Sequence, residues 1–265
     1  MKLNNRIDAT FANTKTQKRA ALVPFIMGFD PDAAASANLL SALPEAGADI
    51  IEIGMPFSDP MADGPVIEAA GLRALKAGAS IAGILNMVAQ FREKNTHTPI
   101  ILMGYYNPVY RYGCEIFCRD AAKAGVDGLI IVDLPPEEEA ELTSHMHTHG
   151  LNFIRLIAPG SDEARLGKLC ASASGFVYYV SVAGITGVKS ATQRSLADNV
   201  GRIRQHTALP VAIGFGIKTP EQAKQAAQLA DAVVVGSALV DVFHKSGKDA
   251  AVAFVRELAK VLRDK

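Results

Sequence analysis

Net charge, paired cysteines and long apolar runs are all missing from this sequence. Lysine and arginine together number 27, as do aspartate and glutamate, so no overall charge would draw the molecule to nucleic acid or an anionic membrane. The three cysteines fit neither a disulfide framework nor a paired set of metal ligands, and an odd number suits a reducing compartment. We expect Cys114, Cys118 and Cys170 to be buried thiols.

Apolar runs such as Ala20 to Phe29 are far shorter than the roughly 20 residues needed to span a bilayer. Residues Met1 to Lys18 are polar and mixed in charge, without the apolar core of a secretory signal. Hydrophobic residues nevertheless make up 49% of the 265 residues, and charged residues only 20%, which is enough to fill a sizeable core. We therefore expect a compact cytoplasmic protein without a transmembrane helix.

Eight short apolar runs alternate with longer segments of helical period, which is typical of βαβ units around a parallel sheet. The runs are Ala21 to Met27, Asp49 to Ile53, Pro99 to Met103, Gly128 to Val132, Asn152 to Ile157, Gly175 to Val180, Pro210 to Ile213 and Ala232 to Val235. Several are continuously apolar, as expected for parallel strands that are covered on both faces.

This alternation predicts an α/β fold, a single (β/α)8 TIM barrel over residues 1–265, because no glycine-rich or charged linker divides the chain. Extra helices are expected before the first strand, where Ile7 and Phe11 can cap the barrel bottom, and after the second and eighth strands. A doubly wound open sheet is the alternative fold. It is disfavoured because the turn from Met27 to Pro31 lacks the Gly-x-Gly-x-x-Gly pattern.

Two predicted helices end in the same way. Glu45 to Asp49 and Lys123 to Asp127 each read as a helix end, a glycine suited to a left-handed stop, and an aspartate that leads into the next strand. The recurrence indicates an internally repetitive barrel.

Active sites of such barrels lie at the C-terminal ends of the strands, and the second strand ends there with a glutamate. Burying Glu52 in the run Ile50 to Ile53 should raise its pKa from about 4.3 toward neutrality, which suits a general acid/base. The alternative is a structural carboxylate that pairs with a lysine or caps a loop. In the following loop, Asp59 or Asp63 can cap a helix that starts near Gly64; we favour capping or loop ordering for Asp59 and function for Asp63.

Glycines follow the last three predicted strands, in Gly184 to Gly187, Gly214 to Ile217 and Gly236-Ser237. Barrels of this type often bind phosphate after strands seven and eight through backbone N–H groups, which glycines let the oxygens approach. We expect a phosphate site here, with the Ser237 hydroxyl as a further donor. Gly187 to Ser190 is not a Walker A loop, because a residue separates its glycine from its lysine.

Metal and Schiff-base chemistry are not indicated. His145, His147 and His149 alternate along a predicted helix and do not share a face, and Cys114 and Cys118 lack further ligands at a suitable spacing. No lysine ends a strand run, so a Schiff-base aldolase would lack its nucleophile. The residues predict acid/base chemistry on a phosphorylated substrate.

The segment Glu52 to Pro65, EIGMPFSDPMADGP, is the most specific motif of the chain. It occurs with Pro24-Phe25, Tyr105-Tyr106-Asn107-Pro108, Asp133-Leu134-Pro135 and the three glycine segments. With these motifs the chain resembles the α subunit family of tryptophan synthase over essentially its whole length. The resemblance implies cleavage of indole-3-glycerol phosphate to indole and glyceraldehyde 3-phosphate without a cofactor in this chain. It also implies a pyridoxal-phosphate β subunit as partner in an α2β2 complex, docked on a face that includes the loops after the second and sixth strands and the Asn107-Pro108 and Asp133 to Pro135 turns.

The resemblance also implies individual roles. Glu52 matches the catalytic acid/base, Asp63 the ionised carboxylate that holds the indole N–H, and Tyr178 a tyrosine beside the glutamate. The matching substrate-binding residues form the apolar wall, the phosphate site and the lid: Phe25, Thr186, Gly187, Phe215, Gly216, Gly236 and Ser237.

Two positions depart from the family pattern. Phe29 stands directly before Asp30-Pro31, where the family more often has glycine, and Val182 stands where many members carry a lid arginine. We expect both to affect loop closure and its coupling to the partner rather than the reaction. Two other functions stay open: an allosteric activator subunit with little activity of its own, and a stand-alone barrel acting on another phosphorylated sugar.

Overall fold

The computed structural model describes residues 5–180, 189–214 and 216–263. Within these ranges the strands are β1 Ala21–Met27, β2 Ile51–Gly54, β3 Ile100–Gly104, β4 Gly128–Ile131, β5 Asn152–Phe153, β6 Arg155–Ile157, β7 Val177–Val180, β8 Val211–Gly214 and β9 Ala232–Val235. The helices are α1 Arg6–Thr16, α2 Ala33–Ala46, α3 Pro65–Lys76, α4 Ile81–Arg92, α5 Tyr106–Tyr112, α6 Cys114–Ala124, α7 Ala140–Thr148, α8 Glu163–Ala171, α9 Lys189–His206, α10 Pro220–Ala227 and α11 Ser237–Arg263.

All the paired strands run parallel, in the order β5-β4-β3-β2-β1-β9-β8-β7-β6. The two edge strands, β5 and β6, are consecutive parts of one chain segment, so the sheet curves round into a barrel. The Ile154 N–H between them still donates to the Leu129 carbonyl at 2.9 Å. The predicted TIM barrel is confirmed, whereas the prediction of one continuous fifth strand is wrong, because the ladder breaks at Ile154.

The extra helices lie where the sequence places them. α1 precedes the first strand, α3 and α4 both follow β2, and α11 follows β9 with a non-helical break at Gly247. The connection after β3 also contains two helices, α5 and α6, which the sequence pattern did not predict.

The barrel interior is filled by alternate strand residues and is closed from below by α1. On β1, Ala21 and Val23 point inward, as expected for a strand of period two. The cap consists of Ile7 and Phe11 on α1, and the Phe11 ring packs against Phe176 with 5.7 Å between the centroids. The predicted cap is confirmed. A second, larger core fills the space between the strands and the helices.

Three aspartates stabilise the N-terminal end of the barrel in the same way. Asp49, Asp127 and Asp231 lie just before β2, β4 and β9, and each accepts a hydrogen bond from a backbone N–H at the start of the neighbouring strand. The donors are Leu22 N (2.8 Å), Ile100 N (2.8 Å) and Val211 N (2.9 Å).

Each of these aspartates also pairs with arginine. Arg19 binds Asp49 through two nitrogens, both at 2.7 Å. Asp127 pairs with Arg92 at 2.7 Å and with Arg6 at 2.8 Å, and Asp231 pairs with Arg204 at 3.1 Å. The predicted glycine stops before the first two aspartates are confirmed, because Gly47 and Gly125 have φ values of 108° and 91°. The sequence repeat is therefore a repeated cross-link between neighbouring strands.

Among the described helices, none alone combines the length and hydropathy of a membrane span. α3 and α4 pass that test only as a pair, and they meet at an angle of 94°.

Candidate active site

Glu52 lies on β2 at the C-terminal end of the barrel, in register with Phe25 of β1 and Ile101 of β3. Only 2% of its surface is exposed. Burial raises the pKa of its carboxyl to about 8, because a dry environment penalises the charged form. The predicted rise is confirmed in direction and extends past neutrality, so this group is mostly protonated at pH 7.

Tyr178 of β7 reaches the same region of the barrel. Burial, together with the nearby charge of Glu52, holds the pKa of its hydroxyl well above the ordinary value. Its hydroxyl oxygen lies where a side chain at position 214 would start, since a Cβ built on Gly214 would be 2.1 Å from it. Glycine at the end of β8 therefore makes room for the tyrosine beside the glutamate.

Phe25 supplies an apolar wall next to Glu52. A Cβ on Gly54 would lie 2.6 Å from the tip of its ring, and one on Gly236 would lie 3.6 Å from its Cβ. The ring is thus held between the ends of β2 and β9. The structure brings together three of the predicted site residues, Phe25, Glu52 and Tyr178, with Gly236 beside them.

Asp63 lies in the loop after β2 and is half-buried. The hydroxyl of Tyr105, at the end of β3, donates to its Oδ1 at 3.1 Å and accepts from the backbone N–H of Ala62 at 3.1 Å. Burial raises the pKa of Asp63, the Tyr105 hydrogen bond opposes this rise, and the charge of Glu68 adds to it.

Tyr105 belongs to the Tyr105 to Pro108 motif, and the sequence predicted no role for it. Its burial and the charges of Asp63 and Asp133 contribute to raising its pKa to about 12, so the hydroxyl remains a donor at ordinary pH. The ring of Phe57 packs against it with 5.5 Å between the centroids. A tyrosine directly after a strand run was the available signal.

The helix that follows Asp63 begins at Pro65 as expected, but neither nearby aspartate caps it. The residue at the cap position is Gly64, so the suggestion that Asp59 or Asp63 caps α3 is wrong. The Asp59 carboxylate accepts a hydrogen bond from the Ser58 hydroxyl instead, which agrees with the alternative that it orders the loop.

The expected phosphate site lies partly within the described residues. Gly216 has φ +75° just after β8, Gly236 follows β9, and Ser237 is the first residue of α11. Two backbone segments, at Gly216 and at Gly236-Ser237, therefore follow adjacent strands, and the second begins a helix, where N–H groups favour an anion. Thr186, Gly187 and Phe215, as well as Val182 and Gly184, lie outside the described residues.

Phe29 has a left-handed backbone, with φ at 69°, a conformation that glycine adopts more readily than residues with a side chain. Its N–H donates to the Ser36 hydroxyl at 3.1 Å. Its ring lies against α4 at Gly83, where a Cβ would come within 2.7 Å. The next residue, Asp30, is buried and binds the Arg73 guanidinium on α3 with two hydrogen bonds of 2.7 and 2.8 Å.

Cys114, Cys118 and Cys170 are free and buried, as predicted. Within the described part of the chain, no three histidine, cysteine, aspartate or glutamate side chains are grouped to hold a metal ion. The groups available for chemistry are the buried carboxyl of Glu52, the half-buried carboxyl of Asp63 in the loop that follows the same strand, and the apolar Phe25 ring.

Comparisons with known proteins agree with this geometry. The family model described as tryptophan synthase alpha chain matches residues 11–264. The tryptophan synthase subunit alpha of Legionella pneumophila str. Paris is 39% identical, with a TM-score of 0.92 over 99% of this chain and 100% of that one. A chain of Mycobacterium tuberculosis tryptophan synthase in its open form is 37% identical, with a TM-score of 0.90 over 98% and 99% of the two chains. This chain belongs to the tryptophan synthase alpha chain family.

Proposed function

We propose that Glu52, Asp63 and Tyr178 carry the lyase reaction of this family, the cleavage of indole-3-glycerol phosphate to indole and glyceraldehyde 3-phosphate. The observation that carries this assignment is the burial of Glu52, which keeps a proton on its carboxyl at neutral pH. The chain is an α subunit that works with a β subunit in an α2β2 complex.

In the first step, the protonated Glu52 gives its proton to C3 of the indole ring. The ring becomes a positively charged indolenine, whose N–H faces the Asp63 carboxylate. A carboxylate fixed in advance at the position of developing charge lowers the barrier without reorganising in the reaction. Tyr105 holds that carboxylate through its hydroxyl.

In the second step, the Glu52 carboxylate removes the proton of the glycerol hydroxyl next to the scissile bond. The C–C bond breaks, its electron pair returns to the indole ring, and the hydroxyl carbon becomes the aldehyde. Glu52 ends with a proton, so one carboxyl serves both steps and the proton balance closes. A pKa of about 8 suits both directions of transfer near neutral pH.

The remaining residues bind and enclose the substrate. Phe25 and Tyr178 line the indole, and Phe215 is a further substrate-binding residue. The phosphate binds to Gly187, Gly216, Gly236 and Ser237, and Thr186 bonds Asp63 on closure, which excludes water. Support comes from the positions of Gly216, Gly236 and Ser237 at adjacent strand ends and at the start of α11.

The α subunits of this family need no cofactor of their own, and we propose that pyridoxal phosphate is held only by the β subunit, which receives the indole. The three free thiols and the biosynthetic reaction support a cytoplasmic location. We also propose that residues 1–265 act as one domain.

The decisive test is Glu52→Gln, which keeps the shape of the side chain and removes the exchangeable proton. We expect kcat for indole release to fall at least about a hundredfold, with KM for indole-3-glycerol phosphate little changed. Glu257→Gln, an exposed change on α11, is the matched control and should behave as wild type. Near-normal turnover in Glu52→Gln would remove Glu52 from the mechanism.

A further inference from the structure

We propose that Asp133 is a positioning residue for Asp63, acting through the backbone of Tyr106 and the side chain of Tyr105. This inference rests on the proposed function, because it concerns how the aspartate that faces the indole nitrogen is held. Asp133 lies just after β4, and its side chain is exposed.

The first link is the double hydrogen bond of the Tyr105 hydroxyl. It donates to Asp63 and accepts from the N–H of Ala62, so it fixes both the carboxylate and the backbone one residue before it. The position of this hydroxyl therefore sets the position of Asp63. A shift of about 1 Å in a catalytic group is enough to lower a rate strongly.

The second link fixes the backbone next to Tyr105. Tyr105 occupies the cap position of α5, and its side chain makes no capping bond, since its hydroxyl lies at the far end of the ring and bonds Asp63. The neighbouring loop supplies the cap: Asp133 Oδ1 accepts the N–H of Tyr106 at 2.7 Å. A carboxylate at a helix N-terminus is favourable both as an acceptor and for the helix dipole.

A third set of contacts holds Asp133 itself. The adjacent carbonyl of Leu134 accepts a hydrogen bond of 2.7 Å from the buried Arg155 on β6, and Arg155 also pairs with Glu139 at the end of the same loop. The Arg155 guanidinium lies 4.0 Å above the Phe153 ring. Arg155 thus holds the loop that carries Asp133 at both Leu134 and Glu139, which fixes Asp133 beside the start of α5.

The chain of contacts predicts a specific energetic pattern. Removing the Asp133 carboxylate should make the position of Asp63 less well fixed. This effect on Asp63 requires the Tyr105 hydroxyl, because that hydroxyl connects the two residues. A residue that only supported the fold would lower activity by the same factor whether or not that hydroxyl was present.

The test is a double-mutant cycle on the α2β2 complex, with indole release from indole-3-glycerol phosphate as the assay. We expect Asp133→Ala to lower kcat about fivefold with KM nearly unchanged, and Tyr105→Phe to lower it about tenfold. The kcat of the double variant should be no more than about tenfold below that of the wild type. Asp133→Asn should recover most of the rate, since its amide oxygen can accept the same hydrogen bond.

Asp162→Ala is the matched control. Asp162 is an exposed aspartate that caps its own helix, α8, by accepting the N–H of Arg165 at 2.8 Å, a hydrogen bond similar in length to that of Asp133. It should lose a similar amount of thermal stability and keep wild-type kcat.

Several results would overturn the proposal: a double variant near fiftyfold slower, wild-type kcat in Asp133→Ala, or an equal loss of kcat in Asp162→Ala. Failure of the proposed function is distinct, because the wild type would then release no indole or Glu52→Gln would keep its turnover.

Discussion

At the N-terminal end of the barrel, Asp49 and Asp127 are held by arginines and by backbone N–H groups, whereas at the C-terminal end Glu52 is buried on an apolar strand. The first arrangement supplies charge partners and hydrogen bonds to the ionised form. The second supplies a dry environment that favours the protonated form.

The difference separates two uses of the same functional group. A carboxylate with arginine and amide partners ties neighbouring strands together, which is useful only for stability. A carboxyl whose proton is held by desolvation can release and recover it near neutral pH, at a cost to folding when it ionises. Active sites concentrate groups that cost folding free energy in this way, and interactions elsewhere in the fold stabilise the molecule.

The largest expected effect on stability is at the N-terminal end of the barrel. Asp127→Ala leaves Arg92 without its buried partner and the Ile100 N–H without its acceptor, so we expect a loss of about 3–5 kcal/mol in the free energy of unfolding. Urea denaturation measures it. The exposed helix pair of Asp241 with Lys245 provides the control, and Asp241→Ala should lose less than about 0.5 kcal/mol.

The next effect is at the C-terminal end of the barrel and concerns how stability depends on pH. The folded-state pKa of Glu52 is raised from 4.5 to about 8, so between these values the folded chain holds a proton that the unfolded chain has lost. Wild-type stability therefore falls as pH rises through this window, by at most about 1.4 kcal/mol per pH unit from this group.

Glu52→Gln lacks the titrating group, so its stability relative to wild type should increase between pH 5 and pH 8. Thermal denaturation of both proteins across this range checks the sign. A constant difference at all pH values would contradict the assignment.

The smallest expected effect on stability is again at the N-terminal end of the barrel. The Asp231 and Arg204 side chains are 44% and 49% exposed, so solvent screens their attraction, and Asp231→Ala removes mainly the hydrogen bond to Val211 N. We expect a loss of about 1 kcal/mol in the free energy of unfolding. A loss as large as that of Asp127→Ala would show that burial does not decide the strength of these cross-links.

Local sequence was sufficient for the barrel. The eight apolar runs coincide with the strands to within two residues at each end, and the glycine stops at Gly47 and Gly125 have the positive φ expected of them. Strand burial and helix termination depend on neighbours in the chain, so their signals are present in short windows. The break at Ile154 and the two helices after β3 depend on closing the sheet, which no short window contains.

The site was predictable to the extent that it lies at strand ends. That position made Glu52 and the glycines candidates, while only the family resemblance gave Asp63 and Tyr178 their roles. Tyr105 was missed because its partner, Asp63, is 42 residues away in the chain. The arginine partners of Asp49 and Asp127 were missed for the same reason, since a repeated helix-end pattern names the aspartate and not the distant side chain that pairs with it.

The contact between Phe29 and Gly83 has a consequence for how such chains diverge. A large ring on a left-handed backbone is accommodated because the facing helix has no side chain at that point. Substitution at either position alone meets a clash or leaves a void, so the two are expected to change together. Among relatives, a bulky residue at the first position should co-occur with glycine at the second, and glycine at the first should free the second to vary.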